Sequence, residues 1–500
     1  MTERDRVDLG RVRTPSGFFL PVSAPAEPFV AAPPADDHYR HHFTYRGSAE
    51  SIRQAAVDLI RSARRKIFLA SFRIGDRQII DALVEAVHRL RGGVYVVTSW
   101  NESTLRRGLA ELDDLDGDDV AVQKKQFDSL TRRGIALRGH EQCHAKFLVV
   151  DDERALVGSA NLETSALADR PERAATGESG VVLTDPAEVG RLARFFTRLW
   201  FAGCTWEVTP GTEYALRQRV PVDAPVTVAS STGPHGVVWT DGTEHGILHT
   251  LHDVIGRARH ELLLATFGLV GVRERPEMLL DPLRRAMREH GVDVRLLVRA
   301  RNNIPDHRRD TAALAEAGVR IHADAYTHAK AVIADGRHGA LFSANLDASH
   351  GLYDGVEVGV RLDHRPVLTE ARRYLLHAMA HADRRFEPQP TGRTLDAGLR
   401  AAWQTRWRGG GRLTVTASDA DWRTLVEAVE SGPVLWTDDG VLRLHAADRV
   451  FTLAGPARRL SVTRADEPAL DRMDRWYGQF RSEGTASTRR GICPATLVRA

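Results

Sequence analysis

Two stretches of this 500-residue chain carry one polar pattern. Residues 142–162 read QCHAKFLVVDDERALVGSANL, and residues 326–346 read YTHAKAVIADGRHGALFSANL. Each opens on a histidine and a lysine two apart, runs through an apolar strand to an aspartate, and closes on Ser-x-Asn. The flanks repeat as well. SIRQAAVDLIRSARRKIFLASFRI at 51–74 and GILHTLHDVIGRARHELLLATFGL at 246–269 both place apolar residues at helical spacing before a short apolar strand. These are Ile52, Ala56, Leu59 and Ile60 in one, and Leu248, Leu251, Val254 and Ile255 in the other. A second helix and strand follow in each copy, then the His-x-Lys segment, then TGESGVVL or DGVEVGVRL, then a closing helix. Such a repeat restricts the chain to folds that use one supersecondary unit twice. The alternation of helix and strand makes that unit α/β, layered around a mixed sheet.

The first copy spans 49–205 and the second 243–387. Residues 206–242 join them and read as loop with one strand. Residues 1–48, with Pro21, Pro25, Pro28, Pro33 and Pro34, read as an extended arm on a domain surface. Residues 392–500 repeat nothing and read as a small α+β domain. DADWRTLVEAVE forms a helix capped by Ser418 or Asp419, and GPVLWTDDGVLRLHAADRVFTLAG forms short strands turning at Asp438-Asp439-Gly440. Trp403, Trp407, Trp422 and Trp436 crowd this region, as core or as platforms for bases, with core favoured. The last residues, from 483, are read as mobile or docked on a partner.

Strand side chains alternate, so His144 and Lys146 share a face, as do Ser159 and Asn161, His328 and Lys330, and Ser343 and Asn345. An imidazole, an ammonium, a hydroxyl and an amide together suit a phosphoryl group: lysine and asparagine donate to its oxygens, while imidazole attacks or moves a proton. Asp151 and Asp335 have the opposite parity and read as structural. Glu178 and Glu357, each at the next apolar strand of its own copy, are the candidates for orienting the imidazoles. One histidine cannot be nucleophile and leaving-group acid at once, so two copies facing each other make one site.

The pattern H-x-K-x4-D-x6-G-S-x-N resembles the signature of the phospholipase D superfamily. It is carried by His144, Lys146, Asp151, Gly158, Ser159 and Asn161, and again by His328, Lys330, Asp335, Ser343 and Asn345. The second copy departs from it with Phe342 in place of glycine, a side chain expected to enter the core. The resemblance covers about 49–387. It implies two tandem phospholipase D-like α-β-α sandwiches packed as a pseudo-dimer. It also implies a metal-independent phosphodiesterase working through a phosphohistidine, without cofactor, with a downstream carboxylate holding each histidine. His144 is then the nucleophile and His328 the acid and base.

The substrate is less constrained. Net charge is +3 at pI near 8.8, which permits a polyanion without requiring one. Arginines flank both motifs: LRRG, VQKKQ and LTRRGIALRGH in copy one, and Arg299, Arg301, Arg308 and Arg309 in copy two. Loops beyond the carboxyl ends of strands rim sites in open α/β sheets, so Arg299 and Arg301 are candidates for tracking a nucleic-acid backbone, against the plainer reading of all these arginines as a solvated surface balanced by ELDDLDGDD at 111–119. Cys143, Cys204 and Cys493 form no CxxC pair, which argues against structural zinc and a disulfide framework and fits a reducing cytoplasm. The N-terminus has no apolar h-region and no run of 18 apolar residues occurs. These features favour a nuclease over the alternative, a phospholipase D or phosphatidyltransferase acting on phospholipid. A third reading is a nucleic-acid-binding subunit of a defence or repair complex, meeting a protein partner through residues 392–500.

Overall fold

A computed structural model describes residues 5–14, 16–22, 27–33, 36, 38–47, 51–99, 129–170, 174–209, 215–233, 235–403, 411–432, 434–469, 471–473, 489–493 and 495–500. The chain has a mixed α/β fold and divides into two compact units. One comprises residues 24–299 and 317–382; the other comprises 1–23, 300–316 and 383–500.

The first unit contains both copies of the repeat, each built on its own sheet. The first sheet runs Ala215–Gln218, Trp206–Thr209, Ala136–His140, Val94–Ser99, Ile67–Ala70, Phe147–Val150, Arg154–Gly158, Glu178–Leu183, Tyr39–Thr44. The second repeats the order of its last seven strands: Arg320–Asp324, Asp293–Arg299, Glu261–Thr266, Ala331–Ala334, His338–Phe342, Glu357–Arg361, Val237–Thr240. In each, the three strands on one side are parallel and the rest antiparallel. Helix Arg77–Arg89 joins the parallel strands Ile67–Ala70 and Val94–Ser99, and helix Leu280–His290 joins Glu261–Thr266 and Asp293–Arg299, while short turns join Phe147–Val150 to Arg154–Gly158 and Ala331–Ala334 to His338–Phe342.

Local chemistry sets the helix ends. Asp76 accepts from the N–H groups of Gln78 and Ile79 to start Arg77–Arg89, and Asp185 does the same for Ala187 and Glu188 ahead of Pro186–Arg198. Ile52, Ala56, Leu59 and Ile60 all lie in the core, as the helical spacing requires. A single apolar cluster runs from the first sheet (Phe147, Val149, Val181) through helices Pro186–Arg198 and Val367–Ala380 to the second sheet (Leu263, Ile333, Val358). One shared core across two copies ties the site geometry to both.

Residues 1–48 are not a surface arm. Tyr39–Thr44 forms the edge strand of the first sheet, against Glu178–Leu183. Phe18–Pro21 pairs with Arg384–Glu387, and Arg6–Asp8 with Thr496–Arg499, both in the second unit. Phe18, Phe19, Leu20, Phe29, Tyr39 and Phe43 are buried in the cores, while Val22 and Val30 stay exposed. Residues 206–242 likewise supply three strands rather than one: a hairpin extending the first sheet and the edge strand of the second.

The second unit holds a three-stranded sheet (Arg6–Asp8, Thr496–Arg499, Arg412–Val415) and a five-stranded antiparallel sheet (Arg459–Arg464, Arg449–Ala454, Leu442–Ala446, Leu435–Asp438, Arg489–Ile492). Ser418 caps helix Asp419–Val429 by accepting from Asp421 N–H. Trp422 and Trp436 are core residues and unavailable for stacking on bases; Trp407 lies outside the described residues.

Candidate active site

Both His-x-Lys segments lie in extended backbone just ahead of their strands, Phe147–Val150 and Ala331–Ala334, rather than within them. Each is fastened to the other copy. His144 N–H donates to Val356 O (2.9 Å) and Val356 N–H to Gln142 O (2.9 Å); His328 N–H donates to Gly177 O (2.8 Å) and Gly177 N–H to Tyr326 O (2.8 Å). Gly177 and Val356 immediately precede Glu178 and Glu357. This backbone splice therefore places each glutamate beside the histidine of the opposite copy.

The side chains follow that wiring. His144 Nδ1 meets Glu357 Oε1 at 2.7 Å, and His328 Nδ1 meets Glu178 Oε1 at 2.8 Å. The expectation that each carboxylate serves its own copy is thus corrected: the partners are exchanged. Within its own copy each glutamate is held by the motif serine. Ser159 Oγ donates to Glu178 Oε2 at 2.5 Å, and Ser343 Oγ donates to Glu357 Oε2. The serines accordingly fix the carboxylates, rather than contributing free hydroxyls to a phosphoryl group. Serine, glutamate and opposite histidine form two mirrored chains. With Nδ1 engaged, Nε2 is the nitrogen left for chemistry.

Burial and charge set the protonation states. Burial pushes Glu178 upward, but the charges of His328 and Lys330 and the Ser159 hydroxyl outweigh it and hold the carboxyl near 2. Glu357 is likewise depressed, with His144, Lys146 and Ser343 opposing its burial. Burial drives His328 down to about 3 against the raising effect of Glu178, and lowers His144 against that of Glu357. Both imidazoles are neutral at pH 7. Burial also brings Lys146 to about 8 and Lys330 to about 7. The charge of Lys146 lowers Lys330, and each lysine lowers both histidines. The two copies thus build one electrostatic site.

Lys146 Nζ donates to His144 O at 2.5 Å. Lys330 Nζ is fully buried and has no hydrogen-bond partner among the described residues, and Asn161 Oδ1 and Asn345 Oδ1 are also unpartnered there. An unpaired buried ammonium is costly; an anion delivered to this site relieves that cost.

Asp151 and Asp335 act away from the chemistry. Each sits at positive φ in the turn after its strand (59° and 52°) and accepts three backbone N–H groups, those of Arg64, Arg65 and Lys66 or of Arg259, His260 and Glu261. Each locks the helix-to-strand joint of its copy. Phe342 is buried; its ring occupies the space beside Gly359, whose added Cβ would lie 2.5 Å from it.

The arginines do not form the rim the sequence suggested. Arg299 is 2% exposed and Arg301 8%, and Arg308 is fully buried. Arg299 lies with its guanidinium 5.5 Å from the centre of the Phe267 ring and lowers Lys330. Arg301 and Arg308 belong to the second unit. Arg309 is more open and pairs with Asp306 at 3.1 Å. LRRG and VQKKQ of the first copy fall outside the described residues.

Sequence reasoning passed over two aromatic walls. Phe72 packs on His144 with ring centres 5.3 Å apart, and Phe267 on His328 at 5.0 Å. The neighbouring hydroxyls, Ser71 and Thr266, accept from Leu162 N–H (3.5 Å) and Leu346 N–H (3.0 Å), tying down the loops that carry Asn161 and Asn345. The repeated Ala-Ser/Thr-Phe of 70–72 and 265–267 was the available signal.

Among the described residues no group of three or more His, Cys, Asp or Glu is arranged to hold a metal ion, and no helix is long and apolar enough to cross a membrane. Cys143, Cys204 and Cys493 are free and buried.

Comparison with known proteins bears on this geometry. A family model described as cardiolipin synthase, PLD-like domain, matches residues 56–200 and 251–379, more than half of the chain. Cardiolipin synthase A of Pseudomonas fluorescens (strain SBW25) is 27% identical over 299 residues, 57% of each chain. The 5'-3' exonuclease PLD3 of Bos taurus is 29% identical over 178 residues, 32% of this chain and 34% of that one. The phosphatidylserine synthase structure of Haemophilus influenzae Rd KW20 aligns over 74% of this chain and 89% of its own at 13% identity and a TM-score of 0.47. The chain spans between a third and three fifths of the length of the curated relatives it matches. The twin motifs and the matched model together show that the chain belongs to the phospholipase D superfamily.

Proposed function

We propose that the two copies act as a pseudo-dimer whose single site exchanges phosphodiesters on phospholipid, as a phosphatidyltransferase or phospholipase D. The observation that carries the chemistry is the crossed pairing of His144 with Glu357 and His328 with Glu178. It leaves two Nε2 atoms for one phosphorus, with two lysines and two asparagines around it.

His144 Nε2 attacks phosphorus; the bond to the leaving alcohol breaks, and His328 donates a proton to that oxygen. An acceptor hydroxyl then gives its proton to His328 and attacks phosphorus, the P–N bond breaks, and His144 is restored. Neutral His144 suits nucleophilic attack. His328 must first gain a proton, and the bound diester's negative charge raises its pKa from about 3. Lys146, Lys330, Asn161 and Asn345 stabilise the charge on the pentacoordinate phosphorus. Glu178 and Glu357 stabilise each imidazolium as it forms.

The lipid reading replaces the nuclease expected from sequence. Several curated relatives are named cardiolipin synthase A, against one exonuclease. The burial of Arg299, Arg301 and Arg308 also removes the residues on which a backbone-tracking rim depended. The match to the exonuclease keeps nucleic acid as the second reading. The test incubates the chain with phosphatidylglycerol vesicles, single-stranded DNA and RNA in parallel, with and without EDTA, beside His144→Ala and His328→Ala. Headgroup release or transfer that both variants abolish is the expected result. Cleavage of oligonucleotide alone moves the assignment to nuclease, and turnover surviving both variants overturns the site.

A further inference from the structure

The two copies are not equivalent beside their asparagines. Asn161 is followed by Leu162-Glu163, and Asn345 by Leu346-Asp347, so Glu163 and Asp347 occupy matching positions. Asp347 is engaged within its own loop: its Oδ1 accepts from the N–H groups of Ser349 and Gly351 and from Ser349 Oγ. Glu163 stands at the N-cap of the short helix Thr164–Leu167 but makes no cap hydrogen bond. Its side chain turns to Asn161 and Arg73 instead. Oε1 accepts from Asn161 Nδ2 at 3.5 Å, and Oε2 accepts from Arg73 Nη1 at 3.3 Å. Arg73 follows Phe72, the ring packed on His144; the matching residue after Phe267 is Gly268. The pair is largely enclosed, with side-chain exposures of 10% for Arg73 and 15% for Glu163. The charge of Glu163 reaches Lys146. The second copy carries a different charge at its wall: Arg299 stands where the first has Ser99, beside Phe267 and Lys330.

We infer that Glu163, held by Arg73, is a specificity-determining residue that accepts a hydrogen bond from a second donor group on the acceptor alcohol, a hydroxyl or an ammonium next to the attacking hydroxyl. This rests on the phosphoryl-transfer reading of the site. Arg73 takes one carboxylate oxygen and leaves the other beside Asn161, the amide assigned to the phosphoryl oxygens, where its remaining lone pair can accept a further hydrogen bond. A carboxylate there receives hydrogen bonds and repels a second anion. It therefore favours polyols and amino alcohols over a simple alkanol.

The test uses the full chain with bis(p-nitrophenyl) phosphate as donor and equal concentrations of glycerol, ethanolamine and ethanol as competing acceptors. Mass spectrometry measures the ratio of glyceryl and aminoethyl to ethyl p-nitrophenyl phosphate. Glu163→Gln lowers that ratio about tenfold, the usual range for losing one charge-assisted hydrogen bond, and Glu163→Asp retains most of it. Arg73→Gln lowers the ratio as well, because the carboxylate loses its fixed orientation. A role confined to holding Asn161 would lower every transfer product together and leave the ratio unchanged, which overturns the proposal. Release of p-nitrophenol with no preference in the wild type overturns it too. Failure to release p-nitrophenol at all overturns the phosphoryl-transfer reading as well.

Discussion

Replacing Glu357 by glutamine isolates the crossed wiring. The amide keeps the volume of the carboxylate and can still accept from Ser343, so the change is chiefly the loss of one charge beside the His144 ring. With the nitrogen and oxygen 2.7 Å apart, the charge centres of imidazolium and carboxylate lie about 4 Å apart, the separation at which their attraction is worked. At an effective dielectric of about 20 that attraction is about 4 kcal/mol. The neutral hydrogen bond that remains recovers about 1 kcal/mol. The net loss of about 3 kcal/mol falls on the step that forms the imidazolium-like phosphohistidine and slows it about 100-fold. Rapid-quench kinetics with bis(p-nitrophenyl) phosphate read that step as a burst of p-nitrophenol. Glu178→Gln acts through His328, the leaving-group acid. It should leave the burst nearly intact with this good leaving group and slow turnover of a short-chain phosphatidylglycerol, whose alkoxide must be protonated. The reasoning is refuted if Glu178→Gln abolishes the burst and Glu357→Gln does not, because that result takes the nucleophile away from the Glu357–His144 pair.

Further outcomes follow from the same packing. Asp151→Ala strips the acceptor from three backbone N–H groups and leaves alanine at φ 59°. It should cost about 2–4 kcal/mol in urea unfolding, less for Asp151→Asn, with activity per folded molecule retained; equal stability of all three forms would refute the structural role. Gly158→Ala places a Cβ 2.7 Å from Ser179 O, so differential scanning calorimetry should show a lower Tm, and an unchanged Tm would count against this packing. Burial, with a smaller effect of His42, holds His41 near 3, and burial holds His328 near 3, both below the usual value of 6.5. The unfolded chain therefore binds protons that the folded chain refuses. Stability is full above about pH 6.5 and falls as pH drops from there toward about 3. Urea midpoints at about pH 7, 5.5 and 4.5 should decline in that order, and the decline should shrink in His41→Gln.

The sequence revealed some of this and hid the rest for physical reasons. Two copies of a motif embedded in two matching frames are a local signal, and strand parity put Asp151 and Asp335 off the site even though the histidines and lysines sit just outside the strands. Which glutamate serves which histidine depends on how the copies dock. No periodicity encodes that; the splice of Cys143 to Val356 and of Gly177 to Thr327 does. Arg299, Arg301 and Arg308 counted as solvated charges by type, yet cores take up arginine when its charge and planar face find partners, and Arg308 lies over Phe18. Proline counting misread residues 1–48 because strand Phe18–Pro21 ends on a proline and Tyr39–Thr44 begins only after Pro34.

The most direct test of one site built from two copies is to trap its covalent intermediate. His328→Ala is mixed with bis(p-nitrophenyl) phosphate, quenched in alkali and mapped by peptide mass spectrometry. A p-nitrophenyl phosphoryl adduct on His144, absent from Glu357→Gln quenched at the same time, is what the account predicts. An adduct on any other residue, or one that forms at wild-type rate without the Glu357 charge, contradicts it.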